Sequence, residues 1–518
     1  MTKLLDCTLR DGGYYTHWDF PDPVVSVYTR CMNRLPIEYI EVGYRSIDKG
    51  DYLGEYFYLP INTLERLKSQ MPDKKLVLIL NAKDCTLSNI SALLKGTEKY
   101  VDMVRMAIDP QKLEEGIEIS KKIKDLGFQV TFNLMYISRF QDDPGFWKLC
   151  EQCGHLDYLY LVDSYGSAYP YEIEGLFKLF KQHTDIPLGF HGHNNLELAF
   201  SNTVSAIRND AAIADATIMG MGRGAGNLST ELLLSYVNSR KSVDLDFNAL
   251  SEVLDAFLPL KEAYGWGTNL AYMVAGANGL PQQKVMDLLS MKRYSLDSIV
   301  HSIQAQLSSE DVEYPSLKKI ADRFKGVKKT IIVGGGATAA DHAEDLVRLA
   351  DCMDDTIVIH SSTRNLANFA SSAKEPIVCL MGNEGYKLDQ RFSPEIKERI
   401  LACVLPASPR KHGTYVPECI RDCVYENQAS EKAPEGLSDS PLFEAIQASK
   451  ALGAETVMLA GFDGYSYEGS MDHDIALETQ AVLDHFSNNG VELLSVTPTC
   501  YENIKERSLF SILAENGL

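Results

Sequence analysis

Long apolar runs are missing from this chain of 518 residues. No stretch is long enough to span a bilayer, and the N-terminus, MTKLLDCTLRDGG, carries no apolar segment of signal-peptide length. No membrane partner is expected, and a cytoplasmic location is. Basic charge is also scarce. Lys and Arg number 50 against 71 Asp and Glu, a formal net charge of -21. Phosphate backbones demand a basic stripe, so a nucleic-acid partner is excluded. The eleven cysteines follow no framework spacing, which fits reduced thiols. Cys150 and Cys153 form one CxxC, but no second pair exists to complete a zinc site. Packing is the stronger reading of both.

What is present is alternation. Eight short apolar runs, KLLDCTL, YIEVGY, KLVLILN, MVRMAID, QVTFNLM, YLYLVDS, PLGFHGH and ATIMGMG, punctuate the first 230 residues, with helical stretches between them. Such alternation implies parallel strands and right-handed crossovers, and eight units close into a (β/α)8 TIM barrel. The barrel is expected over 1–240 and a helical appendage over 241–310. A polar linker spans 305–325, and a second, Rossmann-like α/β domain is expected over 325–518.

Chemistry in such a barrel gathers at the C-terminal ends of the strands. In order, those ends offer Thr8, Arg10 and Asp11, then Glu41, Tyr44 and Arg45. Asn81, Arg105, Asn133 and Met135 come next, then Asp163 and Ser164, His191 and His193, and the loop Gly220–Asn227. The sharpest feature is His191-Gly192-His193. Residues two apart on a strand share a face, so both imidazoles point into the barrel mouth. Two His and one carboxylate make a divalent-metal site with positions left for substrate, and Asp11 is the expected carboxylate.

TLRDG near the start, GFHGHNNLELAFSN and GMGRGAGN together resemble the metal-dependent barrel lyases and synthases. That superfamily includes 4-hydroxy-2-oxovalerate aldolase, HMG-CoA lyase and isopropylmalate synthase. The resemblance covers roughly residues 1–290. It implies Mn2+ or Mg2+ held by Asp11, His191 and His193, with Asn227 a further ligand, and Arg10 on the oxygen of an enolate. Gly12, where the acyl-CoA branch carries Glu, favours the aldolase branch. One departure stands out: Tyr14 occupies the place of the aldolases' histidine base. Tyr14 and His17 are therefore the candidate proton-transfer groups, and Tyr44, Arg105, Asn133 and Asp163 the candidate substrate contacts. A 2-oxo acid and an aldehyde are the expected substrates, and a homo-oligomer the expected state. A Claisen-type enzyme using acyl-CoA is the alternative.

In the second domain, TIIVGGGATAADHAEDL places Gly334 and Gly336 between a strand and a helix, as a phosphate-binding loop would. Asp463 lies at a later strand tip in AGFDGY. No acidic residue closes the second strand to grip an NAD ribose. These segments resemble the Rossmann-like domains of bacterial sialyltransferase-like and pterin-diphosphokinase-like proteins. The resemblance implies a nucleotide or nucleotide-sugar at Gly334, Gly336 and Asp463. A scaffold domain, or a nucleotide-sugar-binding protein with an inactive barrel, are the competing expectations.

Overall fold

In the computed structural model, eight short strands close a parallel barrel in chain order. They are β1 (Lys3–Asp6), β2 (Tyr39–Tyr44), β3 (Lys75–Asn81), β4 (Met103–Ile108), β5 (Gln129–Leu134), β6 (Tyr158–Asp163), β7 (Leu188–Gly192) and β8 (Ile213–Ala216). The structure describes residues 2–517 apart from 137–142, 241–242, 291–295, 297–298, 301–302, 305–312, 383, 408–414, 429–433, 435–436, 438–439 and 465–469.

Two-residue alternation builds the barrel interior in layers. Tyr39, Val77, Met103, Tyr158 and Ile213 form an apolar floor with Leu5 and Cys7. Two residues further along their strands stand Glu41, Arg105 and Asp215, all essentially inaccessible to solvent. A polar layer thus lies directly above an apolar one, at the ends of the strands where catalysis belongs.

Two expectations are corrected here. The eighth strand is Ile213–Ala216, ending on the first residue of ATIMGMG, whose middle forms a single 3-10 turn at Ile218–Gly220. Arg10 and Asp11 do not extend the first strand; they lie on α1 (Thr8–Asp11), one helical turn past β1. Gly12 is helical, and a Cβ there would stand 2.6 Å from Met221 Sδ. A Cβ on Gly13 would collide with the Trp18 ring. Both glycines are needed for close packing.

The chain divides into two units, 1–287 and 288–518. In the first, helix Phe247–Tyr264 packs on the barrel core through Ala249, Leu250, Val253 and Phe257, and helices Leu270–Ala277 and Gln282–Ser290 follow. In the second, the described part of the expected linker is a 3-10 run, Leu317–Phe324, with Leu317, Ile320 and Phe324 buried. Leu317 and Ile320, three apart, align on one side of the 3-10 helix, and Phe324 closes the same run four residues on, which is why a polar-looking segment docks.

The second unit carries a parallel eight-stranded sheet. Its strands are β9 (Lys329–Val333), β10 (Thr356–His360), β11 (Ile377–Cys379), β12 (Ala402–Pro406), β13 (Val424–Asn427), β14 (Thr456–Ala460), β15 (Glu492–Ser495) and β16 (Lys505–Glu506). The order β13-β12-β11-β10-β9-β14-β15-β16 reverses direction between β9 and β14. Ile332 packs on one face, Ile331 and Val333 on the other, so the sheet is covered on both sides.

Candidate active site

The barrel mouth opens on a cavity of about 100 Å³, lined by Arg10, Asp11, Tyr14, Tyr44, Asn133, His191, His193 and Arg223 among others. One water needs about 10–15 Å³ of such volume, so this is room for a small organic acid.

His191 is oriented from behind. Its Nδ1 lies 2.8 Å from Asp215 Oδ2, which also accepts from Arg105 Nη2 at 2.7 Å. A carboxylate can only accept, so in the neutral ring Nδ1 carries the proton and Nε2 is bare. That bare Nε2 faces Asp11 Oδ2 at 3.5 Å. Two lone-pair donors pointing at each other in a buried site are repulsive unless a proton or cation lies between them. The other Asp11 oxygen accepts from Arg10 Nη1 at 2.6 Å. Burial works to raise the Asp11 carboxyl, but the adjacent guanidinium holds it below its ordinary range.

His193 follows the same plan. Its Nδ1 stands 2.7 Å from the Asp163 carbonyl oxygen, leaving Nε2 as the free acceptor. Burial, and then the neighbouring His191, push its pKa down to about 4, so the ring is neutral and can act as a ligand. The two imidazole centroids are 5.0 Å apart. Asn227 is brought alongside by a backbone bridge to His193 and by the bond from Asn227 N–H to Gly220 O at 3.0 Å. Gly224 and Gly226 take φ of +63° and +79° to shape this loop. Asn227 Nδ2 donates to Asp11, and its Oδ1 is buried with no partner.

These donors fit a divalent cation. The orphaned Asn227 oxygen, the Asp11 carboxylate and two imidazoles with their rear nitrogens tied down are the outer-shell arrangement a metal site requires. The carboxylates of Asp11, Glu41 and Asp215 balance the guanidinium groups of Arg10, Arg105 and Arg223 three to three, so the fit rests on the donor geometry. Cys7 Sγ also falls within 4.8 Å of donor atoms on Asp11 and His191. Its thiol points to Ala216 O at 3.5 Å and burial raises its pKa well above the ordinary value. A protonated soft donor is a poor ligand for a hard cation, so Cys7 stays with the apolar layer beneath the cavity.

Arg10 Nε donates to Glu41 at 2.7 Å, and the guanidinium forms part of the cavity wall. The Tyr14 and Tyr44 hydroxyls are 3.2 Å apart. Burial, then Tyr14, raises the Tyr44 phenol well above its usual range.

Four expected site residues stand elsewhere. Arg105 lies in the polar layer above the apolar floor, fully buried, bonded to Asp215 and Asn133 and 4.1 Å from the Tyr160 ring centroid. It positions and does not touch substrate. The Asp163 carboxylate accepts from Ser167 and Ala168 N–H at 3.1 and 3.3 Å, and only its carbonyl serves the site. Burial raises it to about 6. His17 is exposed and does not line the cavity. Arg45 is spent on the carbonyls of Tyr58, Leu59 and Leu93. Asp215, Arg223 and Gln282 went unnoticed in the sequence. A charge inside the apolar run IADA was the available signal for Asp215. Cys150 and Cys153 are buried in the barrel core.

In the second unit, Gly334 and Gly336 follow β9, and Asp463 follows β14, at the point where strand order reverses. The Thr338 hydroxyl donates to Asp463, and Thr338 N–H donates to the same carboxylate at 3.0 Å. The fingerprint loop is thus capped by the protein's own anion. Beside it lies a cleft of about 900 Å³ lined by Arg364, Lys387, Arg391, Phe462 and Tyr501.

Among the described residues, no helix is long and apolar enough to cross a membrane. The family model described as HMGL-like matches residues 1–256. The 4-hydroxy-2-oxovalerate aldolase of Geobacillus thermodenitrificans is 30% identical over 248 residues, 47% of this chain and 72% of that protein. The oxaloacetate decarboxylase of Mycobacterium tuberculosis is 26% identical over 326 residues, 61% of this chain and 94% of that one. Among solved structures, the N-terminal domain of an aldolase candidate from Bacteroides vulgatus matches with a TM-score of 0.55 at 45% identity. That match covers 58% of this chain and 99% of the other.

Proposed function

The chain belongs to the HMGL-like family and is a carbon–carbon lyase; on that premise we propose that its barrel makes or cleaves the bond between a pyruvate-type 2-oxo acid and an aldehyde. The observation that carries the reading is the facing pair of lone-pair donors, Asp11 Oδ2 and His191 Nε2 at 3.5 Å, beside the unpartnered Asn227 Oδ1, whose amide nitrogen donates to the same Asp11 oxygen. Asp11, His191, His193 and Asn227 would hold Mn2+ or Mg2+. When bound, that cation supplies electrophilic pull on the 2-oxo acid's carbonyl.

The chain's own groups do the rest. Arg10 is buried and permanently charged, so it favours negative charge developing on the enolate oxygen. Glu41 and Asp11 fix its fork before substrate arrives, so little reorganisation is needed. Tyr14 handles the hydroxyl proton. In cleavage Tyr14 Oη, as the phenolate, takes the hydroxyl proton and becomes the neutral phenol, and the bonding electrons pass to the 2-oxo acid as its enolate. In condensation the new alkoxide takes the proton back. The cavity of about 100 Å³, sized for a small acid, disfavours the acyl-CoA alternative.

The test is release of pyruvate from 4-hydroxy-2-oxo acids by protein stripped with EDTA and then reloaded. Activity is expected to vanish and return with Mn2+ or Mg2+. Full activity in the stripped protein defeats the metal assignment.

A second reading concerns the C-terminal unit. We infer that the cleft of about 900 Å³ at the strand-order reversal takes a ligand of nucleotide size, with Arg364 and Arg391 as its anion contacts, since Lys387 is bonded to Glu384 at 2.6 Å and Asp463 caps the loop. Calorimetric titration of the full chain with nucleotides is expected to give heat that Arg391→Ala abolishes. No heat with any of them leaves this unit a scaffold.

A further inference from the structure

The cavity mouth carries two donors that the proposed chemistry leaves idle. Gln282 opens the helix Gln282–Ser290 and is only 4% exposed. Its Oε1 accepts from Ala225 N–H at 3.1 Å, which fixes the orientation of the amide. Its Nε2 is then buried with no partner. Arg223 belongs to the glycine-rich loop after β8. Its guanidinium carbon lies 5.2 Å from the centre of the Tyr14 ring, and Nη2 donates to Gln283 Oε1 at 2.9 Å. Its Nε is buried and unpartnered. Among the described residues no carboxylate pairs with Arg223. Both side chains line the same cavity as Asp11, His191 and His193.

Buried donors without acceptors are costly and rare, and two on one wall of a binding cavity mark where a ligand supplies the missing acceptors. A guanidinium beside an amide N–H, with no carboxylate to neutralise it, selects an anion. The side of the cavity settles which substrate carries that anion. The 2-oxo acid is placed by Arg10, assigned to its enolate oxygen, and by the cation that Asp11, His191 and His193 would hold. Arg223 overlies Tyr14, the residue assigned to the hydroxyl formed from the aldehyde. We propose that Arg223 and Gln282 bind an anionic group on the aldehyde substrate, making this an aldolase for acid-bearing aldehydes. The inference rests on the aldolase reading of the barrel.

The test compares matched pairs with the Mn2+-loaded full chain and pyruvate: succinic semialdehyde against butyraldehyde, and glyceraldehyde 3-phosphate against glyceraldehyde. One member of each pair should be preferred in kcat/KM by roughly 10²-fold or more over its neutral counterpart. The pair showing the preference distinguishes carboxylate from phosphate. Arg223→Met should reduce that ratio to within a few-fold, mostly through KM, with Arg223→Lys intermediate and Gln282→Leu a smaller loss. Equal use of charged and neutral aldehydes by the wild-type enzyme overturns the proposal, as does a preference that survives Arg223→Met. Exchange of pyruvate methyl protons with D2O separates the two levels. Exchange without acid preference defeats only this inference, whereas no exchange under any metal defeats the aldolase reading beneath it.

Discussion

Replacing Asp215 by Asn removes one charge and one acceptor from beneath the metal-binding face while leaving the side chain's size unchanged. Two consequences follow from the geometry. First, His191 Nδ1 loses a charged acceptor at 2.8 Å, and the ring loses the interaction that fixes its tautomer. Losing such a partner typically weakens metal binding by about 10- to 100-fold. Second, Arg105 keeps only Glu41, at 3.3 Å, as a carboxylate partner in a fully buried setting. Breaking a buried ion pair costs roughly 3–5 kcal/mol, and the retained amide oxygen puts the expectation near the lower end. At roughly 2–4 °C per kcal/mol, the barrel should melt about 6–12 °C lower. Electron paramagnetic resonance of free Mn2+ during titration reads the first effect, and a thermal melt in EDTA reads the second. A lowered melt with Mn2+ affinity within two-fold of wild type would refute the claim that Asp215 orients a ligand. An unchanged melt would refute the buried network itself.

Other expectations follow from the same groups. Tyr14→Phe should lower kcat by about 10²–10⁴ if the phenol moves the hydroxyl proton, with KM little changed, as steady-state kinetics would show. Arg10→Ala removes one preorganised charge from the enolate oxygen and should cost about 10²–10³ in kcat, measured after reloading metal to correct for any loss at Asp11. In the C-terminal unit, burial pushes His360 down to about 3, and neither ring nitrogen has a partner. The unfolded chain takes up that proton below about 6.5 and the folded one does not, so stability falls as pH drops from 6.5 towards 3, by roughly 5 kcal/mol at the limit. His360→Phe should flatten that slope in acid melts. Glu444 runs the other way: burial raises it to about 7, so its folded form holds a proton that the unfolded form has lost above about 4.5. Stability falls as pH rises from 4.5 through 7, and Glu444→Gln should remove that loss.

The barrel was legible because eight apolar runs recur with helices between them, and a closed parallel sheet is the simplest way to bury them. His191 and His193 were legible because one glycine separates them near a strand end. What escaped notice did so for physical reasons. Strand β8 is four residues long and has Asp215 at its third position, so it reads as a polar break. The same charge that hides the strand turns His191. Arg105 and Asp163 were recognised as strand-end residues, but sequence cannot say whether such a side chain faces the cavity or the layer beneath it. Gln282 lies about ninety positions beyond the histidines and reaches the mouth only through helices that follow the barrel. In the second unit Val424–Asn427, Glu492–Ser495 and Lys505–Glu506 are too short or too polar to show a pattern.

The central claim is that Asp11, His191, His193 and Asn227 hold a divalent cation against which a 2-oxo acid enolises. Proton NMR of pyruvate in D2O tests it without any aldehyde. The account predicts methyl-proton exchange with Mn2+- or Mg2+-loaded protein, none after chelation, and none in His191→Ala at any metal concentration. Exchange that persists in the chelated protein, or that His191→Ala leaves at the wild-type rate, would contradict it.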